Sequence, residues 1–92
     1  MIVSFTHKGL ERCFRTGSKS GIQPIHAARL TLMLSLLDVA KSADDMNFPG
    51  LGLHPLKGDM KSYFAIKVSG NWRLVFKQEG DDMELVDYLD YH

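Results

Sequence analysis

Apolar side chains recur every three or four residues in the first half of the chain and every second residue from Tyr63 onward, which predicts helices followed by strands. Ile2 to Phe5 reads as a short opening strand. Thr6 is placed to cap a helix in which Leu10 and Phe14, four apart, share a face, and Gly17 ends it at a C-cap position. Pro24 suits the first position of a second helix, with an apolar stripe of Ile25, Ala28, Leu32, Leu36 and Val39. A second row, Leu30, Met33, Leu37 and Ala40, widens that stripe and leaves Thr31, Ser35, Asp38 and Ser42 as the wet side. The pattern breaks at Pro49-Gly50, a loop leading into the polar run His54-Pro55-Leu56-Lys57-Gly58-Asp59.

Alternation then sets in. Phe64, Ile66 and Val68 share one face of a strand, with Tyr63, Ala65 and Lys67 on the other. After the turn Ser69-Gly70-Asn71, a second strand points Trp72, Leu74 and Phe76 toward the core and Arg73, Val75 and Lys77 away from it. Gly80-Asp81-Asp82 turns again into a third strand, Met83 to Leu89, which runs out into Asp90-Tyr91-His92. The expected fold is α+β: an N-terminal strand and two helices, then an antiparallel meander with the helices packed on one sheet face. The other face then offers Tyr63, Lys67, Arg73 and Lys77, a basic surface with an aromatic on which a polyanion docks.

At 92 residues the chain is expected to form one domain, residues 1–92, around a single core. The formal net charge of zero conceals a gradient: residues 1–42 carry six Lys/Arg against two acids, whereas residues 81–92 carry five acids and no Lys or Arg. One cysteine, Cys13, excludes an internal disulfide and is read as a small core or half-buried residue. Neither a secretory leader nor a bilayer-spanning stretch is legible, so a cytoplasmic setting without membrane contact is the expectation.

Two polar clusters carry the candidate chemistry: His54 with Lys57, and the run Asp90-Tyr91-His92, with Arg73 on a strand between them in sequence. Imidazoles transfer protons near neutral pH and fixed cations stabilise an oxyanion, which is what phosphodiester cleavage without a metal requires. The four histidines lack the H-x-x-x-H or H-E-x-x-H spacing of a metal site, so no metal and no cofactor are expected. Each residue also has a plainer reading: His54 in a turn before Pro55, Tyr91-His92 as a packed and fraying end, Lys57 and Arg73 as surface charges, His7 and His26 as structural or solvent-exposed.

From the Ile-Val-Ser-Phe start through His54-Pro55-Leu56-Lys57-Gly58-Asp59 and Asn71-Trp72-Arg73 to Asp90-Tyr91-His92, the chain resembles the HigB-type toxins of the RelE/ParE superfamily. The resemblance implies a RelE-like fold and a ribosome-dependent endonuclease that cuts messenger RNA in the ribosomal A site. It also implies a cognate HigA-like antitoxin with a helix-turn-helix domain, through which alone the toxin meets operator DNA. On this reading His54 and His92 exchange the protons, in either order, and Lys57 and Arg73 stabilise the phosphorane. Tyr91 orients the 2′-hydroxyl or stacks on a base, and Asp90 fixes an imidazole or positions a base. Lys8, Arg12, Arg15 and Lys19, with Lys67 and Lys77 on the basic face, grip RNA. The alternative class is a binding inhibitor of the same fold, as the ParE branch of the superfamily targets DNA gyrase.

Overall fold

The computed structural model describes residues 1–58 and 62–91. Helix α1 (Lys8–Thr16) is followed by a 3₁₀ turn at Pro24–His26, helix α2 (Ala27–Val39) and a second 3₁₀ turn at Ala43–Met46. Strands β1 (His54–Pro55), β2 (Tyr63–Ser69), β3 (Trp72–Glu79) and β4 (Asp82–Asp90) complete an antiparallel sheet in the order β1-β2-β3-β4. The expected α+β architecture is present, and no helix among the described residues is long and apolar enough to cross a membrane.

The start of α1 differs from the expectation. His7, rather than Thr6, is the N-cap: its Nδ1 accepts the Leu10 N–H at 3.0 Å, which supplies a partner for one of the amides that a helix start leaves unpaired. Gly17 takes the C-cap with φ +78° and returns its N–H to the Cys13 carbonyl, as expected. Leu10 and Cys13 are buried by this helix, while Phe14 packs at the margin of the core.

Of the two apolar rows expected on α2, the second, Leu30, Met33, Leu37 and Ala40, faces the core, and most of the first does not. Ala27, Leu30, Met33, Leu34 and Leu37 are buried, while Ile25, Leu32 and Val39 of the expected stripe are 87%, 60% and 71% exposed. Nine of the thirteen positions of this helix are apolar and they lie on all its sides, so periodicity alone could not choose between the rows; packing against the sheet did. The outward side forms a groove of about 240 Å³ lined by Arg29, Leu32, Met33, Leu36, Phe48, Pro49 and Leu51. Nor is Asp38 on a wet side, because it is half-buried and its Oδ1 accepts the Ile2 N–H at 2.9 Å, tying the chain start to the end of α2.

Ile66, Leu74, Phe76, Met83 and Val86 meet the helices as the sheet's half of the core. Full burial of side chains this size contributes roughly 1.5–3 kcal/mol each. A simple alternation from Met83 would have sent Leu85 and Leu89 inward; instead both are more than a third exposed, and Val86 and Tyr88 are buried. Between Val75 and Lys77 the β3–β4 register slips by one residue, and Leu85 there has φ +53°. This is a β-bulge, which swaps the faces of every residue after it. The bulged Leu85 N–H is taken by Ser4 Oγ at 2.9 Å. The opening strand is correspondingly reduced to two isolated parallel bridges to β4, Ile2 with Met83 and Phe5 with Val86, on either side of the bulge.

Ser4→Ala should lower stability by about 0.5–1 kcal/mol through the lost partner of Leu85 N–H, a partly water-compensated loss. Leu85→Val, which places a β-branched side chain at positive φ, should lower it by about 1 kcal/mol or more, whereas Leu85→Gly should not. Denaturant midpoints of the three variants check both expectations.

Candidate functional site

On the sheet face away from the helices the ladder arranges side chains in rows. His54 stands opposite Ala65, which stands opposite Val75, which stands opposite Asp87. The next row is Lys67, Arg73 and Leu89, and on the other flank Tyr63, Lys77 and Glu84 align. Ala65 and Val75 are buried although they point away from the main core, so the middle of this face is a closed floor beneath longer neighbours. From strand spacings, the Cα atoms of His54 and Arg73 lie about 10 Å apart across the sheet and about 7 Å along it, a span that a phosphate and two long side chains fill.

His54 is exposed, and the segment around it is fastened to β2 at both ends: Lys67 N–H donates to Leu51 O at 2.7 Å and Leu56 N–H to Tyr63 O at 2.9 Å. Its Nδ1 lies 3.0 Å from Gly52 O. A carbonyl only accepts, so Nδ1 carries the proton and Nε2 is left as a bare acceptor. Arg73 is half-buried. Its Nη1 donates to Gly70 O at 2.7 Å and to Trp72 O at 3.0 Å, which pins one arm of the fork over the β2–β3 turn and leaves Nε and Nη2 for another ligand. Lys57 is exposed beyond β1.

The strand end divides the other candidates. Asp90 pairs with Trp72 and so follows Tyr88 onto the helix side, whereas alternation carries Leu89 toward Arg73. Tyr91 N–H donates to Asn71 O at 2.8 Å. His92 and Asp59 lie outside the described residues. The structure thus brings His54, Lys67 and Arg73 to one face, turns Asp90 to the edge of the other and leaves Tyr91 exposed just past the strand.

The cations expected to grip RNA are not equivalent. Lys67 is exposed without an ion pair among the described residues, but Lys77 Nζ lies 3.5 Å from Glu84 and 3.7 Å from Glu79. Arg15 pairs with Glu11 at 3.0 Å, and Lys8, Arg12, Arg15 and Lys19 all belong to the helix layer, across the sheet from Lys67. One flat surface does not contain both groups.

Behind the site sits a cluster that sequence reasoning missed. His26 is the buried polar residue of the core, and its Nδ1 is hydrogen-bonded to the Tyr88 hydroxyl. The Tyr88 ring stacks on Trp72 at 4.5 Å and meets the edge of His7 at 5.6 Å, so His7 and His26, read as structural or solvent-exposed, meet at one aromatic group. Both histidines remain structural in the sense of packing, His7 as a cap and His26 as a buried partner. Only the bulge brings Tyr88 inward to meet them, so no periodic signal announced the contact. Burial raises the Tyr88 phenol above its ordinary 10.0, a backbone hydrogen bond from Gln23 opposes the rise, and the Asp90 carboxylate adds to it.

A family model described as the RelE-like toxin of type II toxin-antitoxin system HigB matches residues 3–92. "Endoribonuclease HigB" of Proteus vulgaris is 39% identical over 92 residues, covering 100% of both chains. "Toxin HigB-1" of Vibrio cholerae serotype O1 is 31% identical over 94 residues, covering 100% of this chain and 98% of its own.

Lys67→Gln should weaken binding to single-stranded RNA and lower the slope of log K against log salt by about 0.7, the value for one phosphate contact, while Lys77→Gln leaves the slope nearly unchanged because its charge is already paired. Titrations across a salt series separate the two. For Tyr88, the folded state holds the phenolic proton more tightly than the unfolded chain, so its contribution is complete below the unfolded pKa near 10.0 and is lost as pH rises through the higher folded value. Tyr88→Phe should therefore flatten the alkaline decline of stability, measured by denaturant midpoints on either side of that pH.

Proposed function

The chain belongs to the HigB-like toxin family of type II toxin-antitoxin systems, and on that premise we propose that it is a ribosome-dependent endoribonuclease that cuts messenger RNA codons in the A site. The observation that carries this reading is the convergence of His54, Lys67 and Arg73 on the sheet face the helices leave open, with exposed Tyr91 following the end of β4 beside it. A bare imidazole nitrogen and two cations on one floor, with a phenol beside it, match the demands of an in-line attack by a 2′-hydroxyl. The gyrase-inhibitor alternative gains no comparable support, and the naming of the Proteus relative as an endoribonuclease weighs against it.

In this mechanism His54 Nε2 takes the 2′-hydroxyl proton as the oxygen attacks the scissile phosphorus, and the Gly52 carbonyl stabilises the imidazolium through Nδ1–H. Arg73 offers Nε–H and Nη2–H to the phosphorane oxygens, with its other arm already ordered on the turn, and Lys57 adds charge as the substrate settles. Tyr91 stacks on a neighbouring base. His92 delivers the proton to the departing 5′-oxygen, and Asp90, at the root of that terminus, holds its orientation. The products are a 2′,3′-cyclic phosphate, or the 3′-phosphate from its opening, and a 5′-hydroxyl. No metal and no cofactor takes part. Exposed Lys8, Arg12, Lys19 and Lys67 bind ribosomal RNA, with Arg15 and Lys77 lesser contributors because they are ion-paired.

Type II membership implies an antitoxin partner. That antitoxin is, on our reading, a HigA-like helix-turn-helix protein that alone connects the toxin to operator DNA. Residues 1–92 act as one toxin domain, in the cytoplasm where its ribosome is.

Cleavage of a defined messenger RNA, with and without stalled ribosomes and with EDTA present, tests the proposal. Cuts within A-site codons that require ribosomes, survive EDTA and leave a 5′-hydroxyl are expected, and cleavage abolished by EDTA or absent throughout would overturn it. His54→Ala and Arg73→Ala should each slow cleavage by roughly 10²–10⁴-fold and relieve growth arrest with fold and antitoxin binding intact.

A further inference from the structure

Trp72 and Tyr88 are diagonal neighbours on the helix side of the β3–β4 ladder, and both candidate active-site elements hang from them. The Trp72 carbonyl receives Arg73 Nη1, and Tyr88 precedes Asp90 and Tyr91 by two and three residues. The two rings stack at 4.5 Å and 26°. Beyond Tyr88 the ladder continues with Leu89 opposite Arg73 and Asp90 opposite Trp72, and Tyr91 N–H donates to Asn71 O, so the strand end is placed by β3 and by whatever holds the Trp72–Tyr88 stack.

His26 supplies that hold from a different part of the chain. It lies 62 residues away in sequence, on the 3₁₀ turn that joins the two helices, and is 6% exposed. Its ring meets Trp72 at 5.7 Å and Tyr88 at 5.9 Å, both edge to face, so one imidazole touches both members of the stack. The hydrogen bond between His26 Nδ1 and the Tyr88 hydroxyl adds a directional contact to these ring contacts, whichever of the two donates.

We propose that His26 is a positioning residue of the ribonuclease site: through its hydrogen bond to Tyr88 and its contacts with Trp72, it sets the end of β4 and with it Asp90 and Tyr91. The assignment rests on the nuclease reading for its effect on rate, and on the strand end alone for its effect on structure. It acts from the opposite side of the sheet, so it touches no substrate.

Three variants and two readouts test it. Tyr88→Phe removes only the hydroxyl, His26→Leu removes its partner, and His26→Asn keeps a polar atom close to the place of Nδ1. Single-turnover cleavage on stalled ribosomes should fall roughly 10- to 100-fold in Tyr88→Phe and His26→Leu, with ribosome affinity within about twofold of wild type, and recover in His26→Asn. Amide-exchange protection of Tyr91 should fall and recover in the same order. Wild-type rate and wild-type Tyr91 protection in a Tyr88→Phe protein whose melting temperature alone has dropped would mean a purely structural cluster and overturn the proposal. Loss of only one of the two readouts overturns it as well. Should the wild-type protein cut no RNA, the nuclease reading fails, and Tyr91 exchange still decides whether His26 and Tyr88 place the strand end.

Discussion

The arrangement of this protein depends on one extra residue in its last strand. Leu85, at φ +53°, breaks the pairing of β4 with β3, and every side chain beyond it changes face. Met83 before the bulge and Val86 and Tyr88 after it can then all enter the core. Left-handed backbone at a leucine costs about 1–2 kcal/mol, which the burial of Val86 and Tyr88 offsets severalfold. Ser4 completes the device by accepting the N–H that the bulge leaves unpaired, so the N-terminal segment belongs to the bulge as much as to the sheet.

The same change of face separates support from chemistry. On the helix side, Tyr88, Trp72 and His26 form a packed aromatic group; on the open side, Leu89 joins Arg73, Lys67 and His54. A thin sheet thus transmits the rigidity of the core to groups on its far surface.

Charge follows the same division. Lys67 and Arg73 stand on the open face, whereas α1 carries its basic residues on the helix layer and Lys77 is neutralised by Glu79 and Glu84. The basic first part of the chain is therefore a second surface, separate from the one that carries Lys67 and Arg73.

Much of this was legible in the sequence. Period-two alternation marked β2 and β3 and their inward faces, Gly17 marked the end of α1, and the resemblance of the polar clusters to HigB-type toxins carried the family. Local chemistry suffices for these because alternation and capping are read within a few residues. The inward face of α2, the cap at His7 and the side of the sheet on which Asp90 stands were decided only by tertiary structure. A helix apolar on nearly all sides has no intrinsic inside, and a bulge has no periodic signature. Both choices are made by which neighbours close the core, and in this chain the neighbours that decide, Ser4 against Leu85 and His26 against Tyr88, are 81 and 62 residues apart.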